Sequence, residues 1–201
     1  MTENDSRYSK AGIRDLLKAV SGDAKLHATP SVVVTGSADL LPDTVEALGA
    51  AGLGVMAADT EGSPAGVGAG TVRCYVQLPS GGPHAGGLAA GMMARFDAFE
   101  RVAPLLASDA IVLLVGDPRP VRPRRGRPNG LDRVLVLLAD AIERDHPGVT
   151  ALVLDGSSSP AEVAAVAREE TASPLPWSSY LRVGTDLPYA EWRDDVLALS
   201  S

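Results

Sequence analysis

Short, fully apolar runs alternate along the chain with longer segments that are apolar at three- and four-residue spacing. "SVVVTG" (31–36), "LGVMAAD" (53–59), "TVRCYVQL" (71–78), "DAIVLLVG" (109–116) and "GVTALVLDG" (148–156) read as buried strands, and "SYLRVGT" (179–185) as a short last one. The intervening segments 41–52, 88–107, 131–145 and 159–170, and the terminal 188–199, read as helices. Pro42, and Ser159 followed by Pro160, mark helix starts, Gly52 marks a helix end, and Asn129 is a candidate cap for the helix over 131–145. Apolar strands regularly separated by helices predict a parallel sheet covered on both faces, a doubly wound Rossmann-like α/β/α fold.

Residues 1–30 stand apart from this rhythm. Ile13, Leu16, Leu17 and Val20 lie at helical spacing, and "SGDAKLHATP" reads as a linker. The expected organisation is an N-terminal helical arm (1–30) followed by one Rossmann-like domain (31–201).

Composition narrows the function classes. Hydrophobic residues make up 45% of the chain and aromatics only 4%, so the core must be built from Ala, Val and Leu. A net charge of -7 argues against general nucleic-acid binding. The single cysteine, Cys74, excludes an internal disulfide, and His27, His84 and His146 lack ligand spacing, so no metal is expected. No apolar run reaches membrane-spanning length and the first residues lack a signal-peptide pattern, so the expectation is a soluble cytoplasmic protein. The three lysines, Lys10, Lys18 and Lys25, all precede residue 26, so the body of the chain holds none.

In this order the pieces resemble a short-chain dehydrogenase/reductase, from Ser31 to about Thr185. "VVVTG" resembles that family's opening strand, Asp59 the acid after its second strand, "YVQLPSG" the place of its Asn-Asn-Ala-Gly, and "FERVAPLLASDAIVLLVGD" the long helix and the strand that ends at the catalytic serine. The resemblance implies a Ser/Tyr/Lys triad and a dinucleotide cofactor, and both are degraded here. The triad positions read Gly116, Asn129 and Arg133: no hydroxyl, no titratable group, and a delocalised guanidinium instead of an ammonium. No tyrosine lies between Tyr75 and Tyr180 to take the missing role. In the first turn, "TGSADLLP", Leu40 and Pro42 replace glycines that would let a pyrophosphate approach the backbone. Gly36, Ser37 and Asp59 are left as weak cofactor-site candidates, and neither a cofactor nor catalysis is expected. "GGPHAGG" lacks the lysine of a phosphate-binding loop and reads as a turn.

Two features point instead to association. Arg119, Arg122, Arg124, Arg125 and Arg127 concentrate positive charge in a proline-rich segment of an acidic chain, suited to an acidic partner or to another copy. The family resembled here assembles through the two long helices flanking its serine-bearing strand. Met92, Phe96 and Phe99 on the first of these, and Val134, Leu135 and Leu138 on the second, are the contact candidates. The expected function is that of a non-catalytic homo-oligomer, a scaffold or polymer-forming protein. A nucleotide- or NAD(P)-sensing regulator is the alternative. An atypical oxidoreductase or other enzyme using Asp117, Asp155 and Asp186 at strand ends is a further one.

Overall fold

The computed structural model describes residues 31–58, 66–79, 87–117, 130–156, 158–174 and 189–199. Five parallel strands form one sheet: β1 (Val32–Thr35), β2 (Val55–Ala58), β3 (Val72–Gln77), β4 (Leu106–Val115) and β5 (Thr150–Leu154), in the order β2-β1-β3-β4-β5. The helices are α1 (Leu41–Ala50), α2 (Gly87–Val102), α3 (Gly130–Asp145), α4 (Pro160–Ala172) and α5 (Tyr189–Leu199). This is the parallel, Rossmann-like α/β fold that the apolar rhythm predicts. The arm, the strand expected at 179–185 and the arginine-rich segment 118–129 lie outside the described residues.

The two-residue period of the strands sorts the core into two layers. Val32, Val34, Cys74, Val76, Ile111, Leu113, Leu152 and Leu154 pack with Leu41 and Leu48 of α1, Val163, Val166 and Ala167 of α4, and Tyr189 of α5. Val33, Tyr75, Val112, Leu114, Ala151 and Val153 face the other way, onto Phe99 and Val102 of α2 and Leu135, Leu138, Ala139 and Ile142 of α3. Each fully buried Val or Leu contributes about 1.5–3 kcal/mol, which explains how a chain this poor in aromatics builds two core layers. α4 is capped as expected: Ser159 Oγ accepts from the Glu162 amide at 3.2 Å, and Pro160 occupies the first turn, where its missing N–H has no partner to lose.

One expectation is corrected. The helix expected over 88–107 stops at Val102; Pro104 cannot continue an α-helix, a 3-10 turn covers Ala103–Leu105, and β4 begins already at Leu106. Strand order differs in detail from the six-strand dinucleotide-binding order, in which a third strand lies outside the second. Among the described strands β2 is an edge, and β3 lies on the far side of β1. The topological switch point, where doubly wound folds place their ligands, falls between β1 and β3.

Candidate functional site

The sheet's C-terminal edge at this switch point is built by the ends of β1, β3 and β4. Thr35 pairs with Gln77, and Gln77 with Leu114. Above Thr35 the two exits do not diverge. Leu78 N–H donates to the Thr35 carbonyl at 2.8 Å, and Ser37 N–H donates to the Pro79 carbonyl at 2.8 Å. Gly36 permits this approach: a Cβ there would stand 2.4 Å from Leu78 Cβ. The β1–β3 ladder therefore continues past Thr35 and Gln77 into the turn before α1.

The first turn of α1 is equally committed. The amides of Leu40 and Leu41 both donate to the Ser37 carbonyl at 3.1 Å, and Pro42 has no amide. Thr44 turns its hydroxyl back onto the Leu40 carbonyl at 2.9 Å. Leu40 packs against the core, and Asp39 and Asp43 are exposed beside the turn. The Leu40 and Leu41 amides are thus spent internally, Pro42 has none, and the adjacent acidic side chains disfavour an anion. Of the cofactor candidates, Gly36 and Ser37 serve this closure, and Asp59 lies outside the described residues.

The triad positions are scattered in kind. Gly116 is buried just past β4, its N–H donating to the Leu154 carbonyl at 2.8 Å. A Cβ there would lie 2.8 Å from the Gly156 nitrogen and 3.3 Å from the Leu154 oxygen. The missing hydroxyl is thus accompanied by a missing space for it. Asn129 lies outside the described residues, and Arg133 falls within α3. Asp117 and Asp155 sit partly buried at the ends of β4 and β5, and Asp186 is outside the described residues.

A polar cluster that no motif announces lies under the same edge, on the α2 side. Tyr75 Oη and Thr35 Oγ1 are 2.7 Å apart. Gln77 Nε2 donates to Tyr75 Oη at 3.1 Å and to the Arg95 carbonyl on α2 at 2.8 Å. Arg95 Nη2 donates to the Val115 carbonyl, the last of β4, at 2.9 Å. Gln77 is 2% exposed, and its Oε1 has no hydrogen-bond partner; neither has the buried Arg95 Nη1. Burial pulls the Arg95 guanidinium down to about 10, against the charges of Tyr75 and Asp117, which hold it up. Burial likewise raises Tyr75, whose bonds to Thr35 and Gln77 and nearby arginines oppose the shift.

The long helices sort the contact candidates. Phe99, Leu135 and Leu138 are 0%, 4% and 3% exposed, so they belong to the chain's own core and are corrected as surface contacts. Met92, Phe96 and Val134 are partly exposed. The residues that project are Met93 on α2 and Leu137 on α3, 60% and 61% exposed. Both helices run down the same face of the sheet from its C-terminal edge. Met93 and Leu137 stand six and seven residues from the starts of their helices, which pack against one another.

Among the described residues no group of three or more His, Cys, Asp or Glu is placed to hold a metal ion, and no helix is long and apolar enough to cross a membrane. Comparison of the chain with family models, with curated proteins and with solved structures finds no match in any of the three.

Proposed function

We propose that this chain is a non-catalytic relative of the short-chain dehydrogenases that acts through self-association, as a homo-oligomeric scaffold joined across the α2–α3 face. The carrying observation is the pair of large apolar side chains, Met93 and Leu137, exposed on two neighbouring helices of the same face. Partly exposed Met92, Phe96 and Val134 extend the apolar character of both helices. Burying each projecting side chain against a second copy would contribute about 1.5–3 kcal/mol. Exposed Asp97, Glu100, Arg101, Asp140 and Arg144 supply the mixed-charge rim that such an interface carries.

Two further observations support the absence of catalysis. The position that the resemblance gives to serine is a glycine held against backbone, and the Leu40 and Leu41 amides are bonded within the turn. The same closure weighs against a dinucleotide-sensing role. The arginine-rich segment and an acidic partner for it remain an additional contact within this reading.

The test is the solution mass by light scattering, across micromolar concentrations and at low and high salt. The wild-type chain is expected to run as a multiple of its 20.7 kDa mass, and the double variant Met93→Glu/Leu137→Glu as a folded monomer. A wild-type monomer throughout would overturn the reading. A double variant with unchanged assembly would move the interface elsewhere.

A further inference from the structure

The α2–α3 face and the N-terminal arm carry complementary patterns. On α2, Met93 projects and exposed Asp97 follows it by four residues; on α3, Leu137 projects and exposed Asp140 follows it by three. Each helix therefore sets a carboxylate one turn beyond its exposed apolar side chain. Glu100 is paired with His146 and Arg144 with Asp145, but no ion pair among the described residues engages Asp97 or Asp140. In the arm, "SKAGIRDLLKAV" (9–20) sets Ile13, Leu16, Leu17 and Val20 in one apolar stripe at helical spacing. Lys10, Arg14 and Lys18, four residues apart, form a basic row directly beside that stripe. Three cations against one acid, Asp15, give this segment a charge of +2 in a chain of net charge -7.

The two can meet within one molecule. Residues 21–30 join the segment to β1, and ten residues extend to about 33 Å at most. β1 starts at the N-terminal edge of the sheet, the edge at which α2 ends, and it pairs with β3, onto which α2 packs through Phe99 and Arg95. Met93 lies nine residues before Val102, the end of α2, or about 14 Å along the helix. A segment tethered this way meets its own chain at an effective concentration of about millimolar, above that of a second copy at micromolar concentration. We propose that residues 9–20 dock as an amphipathic helix on the α2–α3 face of their own chain, the apolar stripe over Met93 and Leu137 and the basic row toward Asp97 and Asp140. The contact is autoinhibitory, because the arm and a second copy compete for one surface. The competition rests on the self-association proposed above; the docking does not.

Hydrogen exchange on the full chain reads the docking, and light scattering reads the competition. At concentrations where the chain is monomeric, the amides of 13–20 are expected to exchange roughly tenfold or more slowly in wild type than in Met93→Glu/Leu137→Glu, with the strands equally protected in both. An arm that exchanges equally fast in both, or is equally protected in both, overturns the docking. Protection that appears only as the chain assembles overturns it too, and places the arm on a second copy. Asp97→Lys/Asp140→Lys is expected to release the arm, and adding Lys10→Glu/Arg14→Glu/Lys18→Glu to restore its protection; a failure to restore it overturns the placement of the basic row. For the competition, Leu16→Glu/Leu17→Glu is expected to assemble at about a tenfold lower concentration than wild type, and an unchanged or higher midpoint overturns the autoinhibition. Monomers throughout from both proteins would refute self-association and the competition with it, while the exchange measurement still decides the docking.

Discussion

Restoring the hydroxyl that the dehydrogenase pattern calls for at position 116 should damage this protein rather than repair it. A Cβ at Gly116 would sit 2.8 Å from the Gly156 nitrogen, closer than real Cβ atoms approach, and 3.3 Å from both the Asp155 carbonyl carbon and the Leu154 oxygen. All three neighbours are backbone, so no side-chain rotation relieves the contact. Either β4 and β5 separate at this end or the loop after β5 shifts. Overpacking of this kind costs about 1–3 kcal/mol. Losing the Gly116 N–H bond to the Leu154 carbonyl adds roughly 1 kcal/mol, for about 2–4 kcal/mol in all. Against a typical global stability of about 5–15 kcal/mol, that is a large fraction. Urea unfolding followed by circular dichroism should show a lower midpoint for Gly116→Ser at unchanged slope. Gly116→Ala should lose nearly as much, because the Cβ causes the clash. If Gly116→Ser were as stable as wild type to within about 0.5 kcal/mol, the steric argument would be wrong, and the glycine would need another explanation.

Two more predictions concern the opposite face. Glu170 is fully buried between Tyr189 and Arg193, accepting from both, while Arg193 also donates to the Ser173 carbonyl; this fastens α5 to α4. Glu170→Leu alone should cost about 3–5 kcal/mol by stranding a buried guanidinium, and Glu170→Leu/Arg193→Met should recover much of it. A denaturant double-mutant cycle measures this, and additive losses would refute the pairing. Burial pushes the Cys74 thiol up to about 12, from 9.0. Above pH 9 the unfolded chain releases this proton and the folded chain keeps it, so stability falls as pH rises, by about 1.4 kcal/mol per unit. The wild-type stability curve between pH 8 and about 10.5 should therefore slope more steeply downward than that of Cys74→Val, and parallel curves would contradict the shift.

Much of the architecture is legible because its signals are local. "VVVT" and "IVLLV" are apolar at every position because both faces of the sheet are covered, and Ser159-Pro160 announces its helix by cap chemistry. Pro104 is an equally local stop signal, and the long helix ends before it. The site is less legible because it depends on distant neighbours. A glycine at 116 reveals a missing hydroxyl, but its collision with Gly156 is set by the pairing of β4 with β5. Nothing in one glutamine within a strand and one arginine within a helix signals that Gln77 meets Arg95, since the meeting requires α2 to fold back over β3. Apolar spacing identified the two long helices as candidates for contact, yet could not distinguish Phe99, Leu135 and Leu138, turned to the sheet, from Met93 and Leu137, turned away.

The close contacts at the sheet's C-terminal edge form a set. At Gly36 the exit of β3 lies against that of β1; at Ser37 the turn amide is bonded to Pro79; at Gly116 the backbone of β4 lies against the loop after β5. In each place neighbouring segments of the chain lie within bonding or contact distance, so no single substitution separates them. The polar groups that persist at this edge do a different task. Gln77 and Arg95 tie α2 to the ends of β3 and β4 at two points, fixing the helix in position and in rotation. Met93 stands two residues before Arg95, so the same ties that hold α2 against the sheet also hold its projecting methionine outward. A rigid helix presents an apolar contact at lower entropic cost than a mobile one. Under the proposed self-association, Arg95→Met should therefore lower the solution mass seen by light scattering, and an unchanged mass would refute the link.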